Sequence, residues 1–188
     1  MAHRVCPWWI GYILASPIRR WMSDTPETLL GSYLRPGMTV LEPGPGMGYF
    51  TLPMARMVGP TGRIVAVDIQ PRMLASLHRR ARKAGLLERI ETRLVQPDRM
   101  ATDDLLGTVD FALAFAVVHE MPSPPAFFGE AAAALKPEGL LLFAEPAGHV
   151  KPEAFEDELK ATKAAGLAEI GRPSIRRTIA AVLKKAPR

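Results

Sequence analysis

The chain has 188 residues, of which 48% are hydrophobic and 23% are charged; this composition excludes a disordered or fibrous chain, and the length predicts one domain, because a domain takes roughly 100–200 residues. Lys and Arg outnumber Asp and Glu by 24 to 19, so the net charge is +5. The basic clusters have no interleaved aromatic residues, which favours a solvated face over a nucleic-acid site, and no nucleic-acid partner is expected.

The N-terminal segment is apolar over residues 8–15, and prolines flank that stretch. The stretch is shorter than the roughly 18 residues that cross a membrane, so no stable membrane insertion is expected. Residues 1–30 are predicted to form a helical segment that packs on the domain or covers its pocket, with contact to a membrane surface as the alternative. Three aromatic residues of this segment are the predicted lining of an apolar substrate pocket: Trp8, Trp9 and Tyr12.

Cys6 is the single cysteine of the chain, which excludes an intrachain disulfide and a multi-thiolate zinc site. A reducing compartment follows, and we expect the protein in the cytoplasm. His3 and Cys6, with His149 as a further ligand, could form a thin site for a soft metal or metalloid. An incidental cysteine among scattered histidines is the favoured interpretation.

Residues 31–188 alternate short apolar runs with longer helical patterns, which is typical of βαβ units. The predicted strands are residues 38–42, 62–68, 90–95, 109–118, 140–145, 167–172 and 175–183. The predicted helices are residues 50–58, 71–84, 127–135 and 152–165. Charged residues alternate along the third strand, which places it near a sheet edge, whereas the apolar fourth strand is predicted to be central. The last two strands are close enough in sequence to pair as an antiparallel hairpin.

A glycine-rich loop follows the first strand, in the segment Glu42-Pro43-Gly44-Pro45-Gly46-Met47-Gly48. Glycine lets the backbone turn sharply and approach a ligand without a Cβ clash, and the next helix directs free N–H groups toward that ligand. An ordinary turn would not need three glycines and an acid. The segment therefore predicts a bound small molecule.

Asp68 closes the second strand, about 20 residues beyond this loop. An acid at this place can accept hydrogen bonds from both hydroxyls of a ribose. The alternative is that Asp68 caps the helix that follows. The spacing to the loop favours the ribose.

These residues resemble the class I S-adenosylmethionine (SAM)-dependent methyltransferases, in particular the small ubiquinone, menaquinone and arsenite methyltransferases. The resemblance runs from about residue 38 to residue 146. The resemblance rests on three segments: the acid with three glycines at alternate positions, the fourth strand with the loop that ends in His119-Glu120, and the Leu135-Lys136-Pro137-Glu138-Gly139 turn. In this turn Glu138 replaces a glycine. A NAD-binding loop spaces its glycines differently.

The resemblance implies an α/β fold: a Rossmann-like, seven-stranded, mostly parallel sheet with an antiparallel last strand and helices on both faces. It also implies SAM as cofactor and S-adenosylhomocysteine as product. Glu42 and the loop would hold the methionine part, Asp68 the ribose, and Ile69 one face of the adenine, while Asp98 would accept from the adenine amino group. The implied cofactor-binding residues are Glu42, Gly44, Pro45, Gly46, Met47, Gly48, Asp68, Ile69, Asp98, Arg99 and Ala116. For Asp98 the alternative is a turn residue.

The implied reaction is an in-line displacement on an activated methyl group, which needs alignment more than acid–base help. An oxygen or carbon acceptor still has to lose a proton. His119 and Glu120 lie where a base is expected, and a supporting role in the loop is the alternative for His119.

The function predicted from the sequence is methyl transfer to an unidentified small-molecule acceptor by a monomer or homodimer. Two alternatives remain. One is a catalytically silent SAM-binding or dinucleotide-binding regulatory subunit. The other, disfavoured by the glycine spacing and the final hairpin, is a nicotinamide oxidoreductase.

Overall fold

The computed structural model describes residues 24–187. The predicted pocket aromatics Trp8, Trp9 and Tyr12 and the metal candidates His3 and Cys6 lie outside the described residues. Of the predicted N-terminal segment, the described part contains helix α1 (Pro26–Leu30), whose cap Thr25 accepts a hydrogen bond from the Thr28 N–H at 3.2 Å.

Seven strands form one sheet in the order β3-β2-β1-β4-β5-β7-β6. They are β1 (Thr39–Pro43), β2 (Arg63–Asp68), β3 (Ile90–Leu94), β4 (Val109–Phe115), β5 (Leu135–Pro146), β6 (Leu167–Gly171) and β7 (Thr178–Lys185). Strands β1 to β5 are parallel, and β7 runs antiparallel to both β5 and β6. The mostly parallel sheet with an antiparallel last strand is confirmed, as is the edge position of β3.

Helices cover both faces of this sheet, as predicted. They are α2 (Thr51–Met57), α3 (Pro71–Lys83), α4 (Pro124–Ala134) and α5 (Pro152–Ala164). Apolar side chains of α1, α2 and α3 pack on one face, and those of α4 and α5 pack on the other, which gives two separate buried clusters. None of the helices within residues 24–187 is long and apolar enough to span a bilayer.

Strand β4 is shorter than predicted: it ends at Phe115, not at residue 118. Ala116 has φ +57°, a left-handed conformation that L residues other than glycine adopt at a cost. The backbone turns there, and Val118–Glu120 forms a short 3₁₀ turn. The residues on both sides of this bend are apolar, so the hydropathy pattern could not show where the strand ends.

Helix α4 and strand β5 also differ from their predicted bounds. The helix begins at Pro124 because Ser123 caps it, with its hydroxyl accepting from the Ala126 N–H at 3.3 Å. The predicted turn at residues 136–139 is part of β5, which shows a register shift against β4 between Val109 and Phe111. Glu138, at the position where the resemblance expected glycine, has φ +66°.

The strand order reverses direction between β1 and β4, which makes their carboxyl ends the topological switch point of the sheet. The loops after β1, β2 and β4 meet at this edge. Ligands of open α/β sheets bind in the crevice at such a point. The fold therefore brings the predicted cofactor residues of these three loops to one place.

Candidate functional site

The glycine loop, residues 44–48, leaves β1 with positive φ at all three glycines. A Cβ at Gly48 would lie 2.5 Å from the Leu77 Cδ1, so packing on α3 requires glycine there. A Cβ at Gly46 would meet no atom within 4 Å, so this side of the loop faces open space. Pro45 and Met47 are buried.

Glu42 is a buried carboxylate at the end of β1, with 3% of its surface exposed. The Thr51 hydroxyl donates to its Oε2 at 2.6 Å, and within residues 24–187 this is the one hydrogen bond of the Glu42 side chain. Burial raises the pKa of Glu42 to about 8, and the nearby Asp68 carboxylate contributes to the rise. A cationic ligand would restore the ionised form.

Asp68 is 8% exposed at the end of β2. Its Oδ1 accepts from the Gln70 N–H at 2.8 Å, and backbone N–H groups of Gly46 and Ile69 also donate to the carboxylate. Burial raises its pKa to about 6 against the effect of these donors. Gln70, not Asp68, is the N-cap residue of α3, and Asp68 accepts from its N–H in the turn before the helix. Asp68 also lies against the glycine loop, and its contact with a ribose stays a prediction.

Asp98 and Arg99, the residues predicted to lie beside the adenine, are in the loop after β3. The Val95 N–H donates to the Asp68 carbonyl at 3.1 Å, which holds this loop beside β2. Asp98 and Arg99 are exposed and line an open cleft of about 400 Å³ together with Thr102, Asp103, Leu106, Glu130 and Ala133. Arg99 forms an ion pair with Asp103. The adenine contact of Asp98 stays a prediction.

The bend at Ala116 lies beside the glycine loop. A Cβ at Gly44 would lie 2.6 Å from the Val117 Cγ2, so the loops after β1 and β4 pack directly on each other. The Ala116 N–H donates to the Ala144 carbonyl at 2.7 Å and holds the bend against β5. A strained residue fixed at a strand end is typical of functional sites.

His119 is held by Glu145, a residue that the sequence analysis did not identify. The His119 Nδ1 lies 2.6 Å from the Glu145 Oε2, and the Glu145 Oε1 accepts from the N–H groups of Val118 and His119 at 2.8 and 3.2 Å. Glu145 is fully buried, and its hydrogen bond raises the pKa of His119. The pair fixes the imidazole with Nδ1 toward the carboxylate and leaves Nε2 for other contacts.

Glu120 lies between the His119–Glu145 pair and Asp68, one of the predicted cofactor residues. Its Oε1 lies 3.9 Å from the His119 Nε2, and its carboxylate contributes to the raised pKa of Asp68. The predicted base and the predicted ribose acid therefore belong to one site. Thr51 and Glu145 are polar residues of this site that sequence reasoning missed.

Glu158, on α5, is a third carboxylate near His119. Its Oε2 is buried and has no hydrogen-bond partner among residues 24–187. Burial, together with the nearby Glu145 carboxylate, raises the pKa of Glu158 to about 7 against a lowering effect of His119. The ionised form is therefore disfavoured in the folded state.

Replacing Glu158 with Gln is expected to stabilise the fold at pH 8 by about 1 kcal/mol, after allowance for partial solvent screening, and to have little effect at pH 5. A folded-state pKa above the unfolded one makes stability fall as pH rises from about 4.5 to 7, and Gln cannot ionise. Urea unfolding at the two pH values measures the difference. Glu153→Gln, at an exposed position on the same helix, is the control. Equal stability changes at both pH values would contradict the account.

His149, the third candidate metal ligand, is exposed, and its ring centroid lies 6.2 Å from that of His119. Within residues 24–187, no group of three or more His, Cys, Asp or Glu side chains is arranged to hold a metal ion. The remaining candidates, His3 and Cys6, are outside this range.

Comparison with known proteins gives a consistent pattern. A family described as a methyltransferase domain matches residues 15–186. The chain is 33% identical over 155 residues to the ribosomal protein L11 methyltransferase of Pelotomaculum thermopropionicum, a match that spans 81% of this chain and 45% of that protein. It is 27% identical over 127 residues to the arsenite methyltransferase of Halobacterium salinarum, a match that spans 68% of this chain and 31% of the relative. These matches cover less than half of the relatives' lengths.

Among solved structures, the fold is similar to that of a SAM-dependent methyltransferase from Aquifex aeolicus. The TM-score is 0.84 at 24% identity, and the alignment covers 96% of this chain and 99% of that one. At this level of identity the similarity establishes the fold.

Proposed function

The chain belongs to the methyltransferase-domain family, with the class I SAM-dependent fold, and from this premise we propose that it transfers a methyl group from SAM to a small-molecule acceptor whose attacking atom must lose a proton. The observation that carries the proposal is the His119–Glu145 pair beside the predicted cofactor residues. Family membership supports methyl transfer in general. The His119–Glu145 pair supports the narrower proposal that the acceptor atom must lose a proton.

The residues of the site fit SAM. The open side of Gly46 leaves room for a ligand against the backbone, where any larger residue would place a Cβ. The pKa of Glu42 is about 8, and a cation beside it would stabilise its ionised form. The positively charged groups at the methionine end of SAM would supply such a cation. Asp68 would hold the ribose. When bound, SAM supplies a methyl group already activated by its sulfonium.

The protein's own contribution is to hold the acceptor and to take its proton. Glu145 fixes Nδ1 of His119 in the protonated state, so Nε2 of the neutral imidazole is the atom that accepts the proton. The same hydrogen bond stabilises the imidazolium that results. An acceptor hydroxyl or acidic C–H group has to reach Nε2, in the region that also includes Glu120.

The binding of SAM is expected to be linked to proton release. At pH 7 Glu42 is mostly protonated, since its pKa is about 8, and a bound cation favours its ionised form. The affinity should therefore rise between pH 6 and pH 8, by up to about tenfold per pH unit. Titration calorimetry at pH 7 should give different enthalpies in phosphate and in Tris, because the released proton is taken up by the buffer.

Glu42→Gln is the matched variant for this experiment, because it keeps the size of the side chain and cannot ionise. We expect its binding enthalpy to be the same in the two buffers at pH 7. No heat of SAM binding to the unaltered protein would refute the proposed function. Binding with equal enthalpies in the two buffers would refute only the role of Glu42.

A further inference from the structure

Arg80, on α3, donates a hydrogen bond to the glycine loop. Its Nη1 donates to the Met47 carbonyl at 2.5 Å, across 33 positions of sequence. The side chain is half-buried, and burial lowers the pKa of its guanidinium, so this contact has replaced part of its hydration. Hydrogen bonds from charged donors are stronger than those between neutral groups.

A second contact from the same face of α3 reaches the same loop. Leu77 lies one turn before Arg80, and its Cδ1 occupies the space that a Cβ on Gly48 would need. The Gly44 N–H donates to the Val67 carbonyl and the Gly48 N–H to the Pro45 carbonyl, both at 2.9 Å, and the Gly48 carbonyl accepts from the Leu52 N–H at 3.4 Å. None of these backbone hydrogen bonds uses the Met47 carbonyl, to which Arg80 donates.

The start of the same helix is also hydrogen-bonded to Asp68, the predicted ribose acid. Helix α3 begins three residues after Asp68, and the Gln70 N–H at its start donates to the Asp68 carboxylate at 2.8 Å. One rigid element thus contacts both the ribose acid and the loop expected to hold the methionine part. The position of the loop relative to Asp68 depends on this helix.

We propose that Arg80 is a positioning residue for the cofactor: its hydrogen bond to the Met47 carbonyl holds the glycine loop in the conformation that binds SAM. The proposal rests on the proposed function, because it concerns the same cofactor. Lysine cannot fully replace this arginine, since its ammonium is a strongly hydrated point charge on a flexible stem.

The test compares neighbouring arginines on one helix. Arg79 is exposed, whereas Arg80 is half-buried on the loop, so Arg79→Gln and Arg80→Gln remove the same charge and differ in the contact. We expect Arg80→Gln to raise the Kd and the KM for SAM about tenfold with kcat within about twofold of the unaltered protein, because one charge-assisted hydrogen bond is lost. Arg80→Lys should give a smaller rise, and Arg79→Gln should leave both constants unchanged.

Calorimetry with SAM, turnover kinetics and thermal unfolding separate the possible outcomes. Failure of the unaltered protein to bind SAM would refute the proposed function and, with it, this inference. Normal binding by the unaltered protein and equal binding by Arg80→Gln would overturn the inference alone. An equal loss of SAM affinity in Arg79→Gln and Arg80→Gln would overturn the inference, because it would show that the positive charge of the helix, and not the contact of Arg80, supports binding. A collapse of kcat and of the unfolding temperature in Arg80→Gln would overturn it in favour of a structural role.

Discussion

Replacement of His119 by alanine is expected to lower methyl transfer by a factor of about 10² to 10⁴, the usual contribution of a positioned general base, while SAM still binds. The reason is geometric: the Glu145 Oε2 lies 2.6 Å from Nδ1 and leaves Nε2 as the proton acceptor. Glu145→Gln should also lower turnover, because a glutamine at this place can present its amide N–H to Nδ1 and favour the wrong tautomer.

The role of His119 as a base also predicts how turnover changes with pH. A base must be neutral, and the hydrogen bond to Glu145 raises the pKa of His119, so turnover should increase with pH through a midpoint above 6.5. Steady-state rates from pH 6 to 9 measure it. His149→Asn, at the exposed neighbouring histidine, should keep the rate and the profile. Unchanged turnover in His119→Ala would assign His119 to the support of its loop.

The second large effect concerns cofactor binding. Asp68→Ala is expected to weaken the affinity for SAM by about thirtyfold to a hundredfold, the equivalent of one bidentate charge-assisted contact. The variant should remain folded, because the loss of an acceptor for the Gln70, Gly46 and Ile69 N–H groups is offset by the removal of a buried carboxylate, whose pKa of about 6 shows that its ionised form is costly to bury. Asp68→Asn, which still offers one acceptor oxygen, should bind with intermediate affinity.

Calorimetry with SAM and with S-adenosylhomocysteine tests this role of Asp68. Both ligands share the ribose, so both affinities should fall together. Asp157→Ala, an exposed acid on α5, is the control for removal of one negative charge. Unchanged affinity in Asp68→Ala would remove the ribose assignment and leave Asp68 as the acceptor that holds the turn before α3.

The fold was predictable because its strands are short, apolar and bounded by turn residues. The sequence pattern predicts all seven strands, the edge position of β3 and the antiparallel last strand, and the structure confirms them. Element ends were less predictable. Strand β4 stops at Phe115 because Ala116 adopts φ +57°, and a left-handed alanine has no signature in a run of apolar residues.

The site was predictable where a motif marks it and not where tertiary contacts form it. The glycine loop and Asp68 come together as the chain pattern indicates. Glu145 was missed because one acid at the end of an apolar strand also suits a solvent-exposed strand end, and only the fold brings it under His119. The contact of Arg80 joins a helix to a loop 33 positions away, which no local pattern reveals.

The most direct test of the proposed function is the release of S-adenosylhomocysteine from SAM by the purified protein, measured across phenols, quinol precursors, thiols, arsenite and small amines. The proposed function predicts turnover with at least one acceptor that must lose a proton at oxygen or carbon, and loss of that turnover in His119→Ala. Confirmed SAM binding with no turnover across the panel would contradict it and favour a catalytically silent SAM-binding subunit.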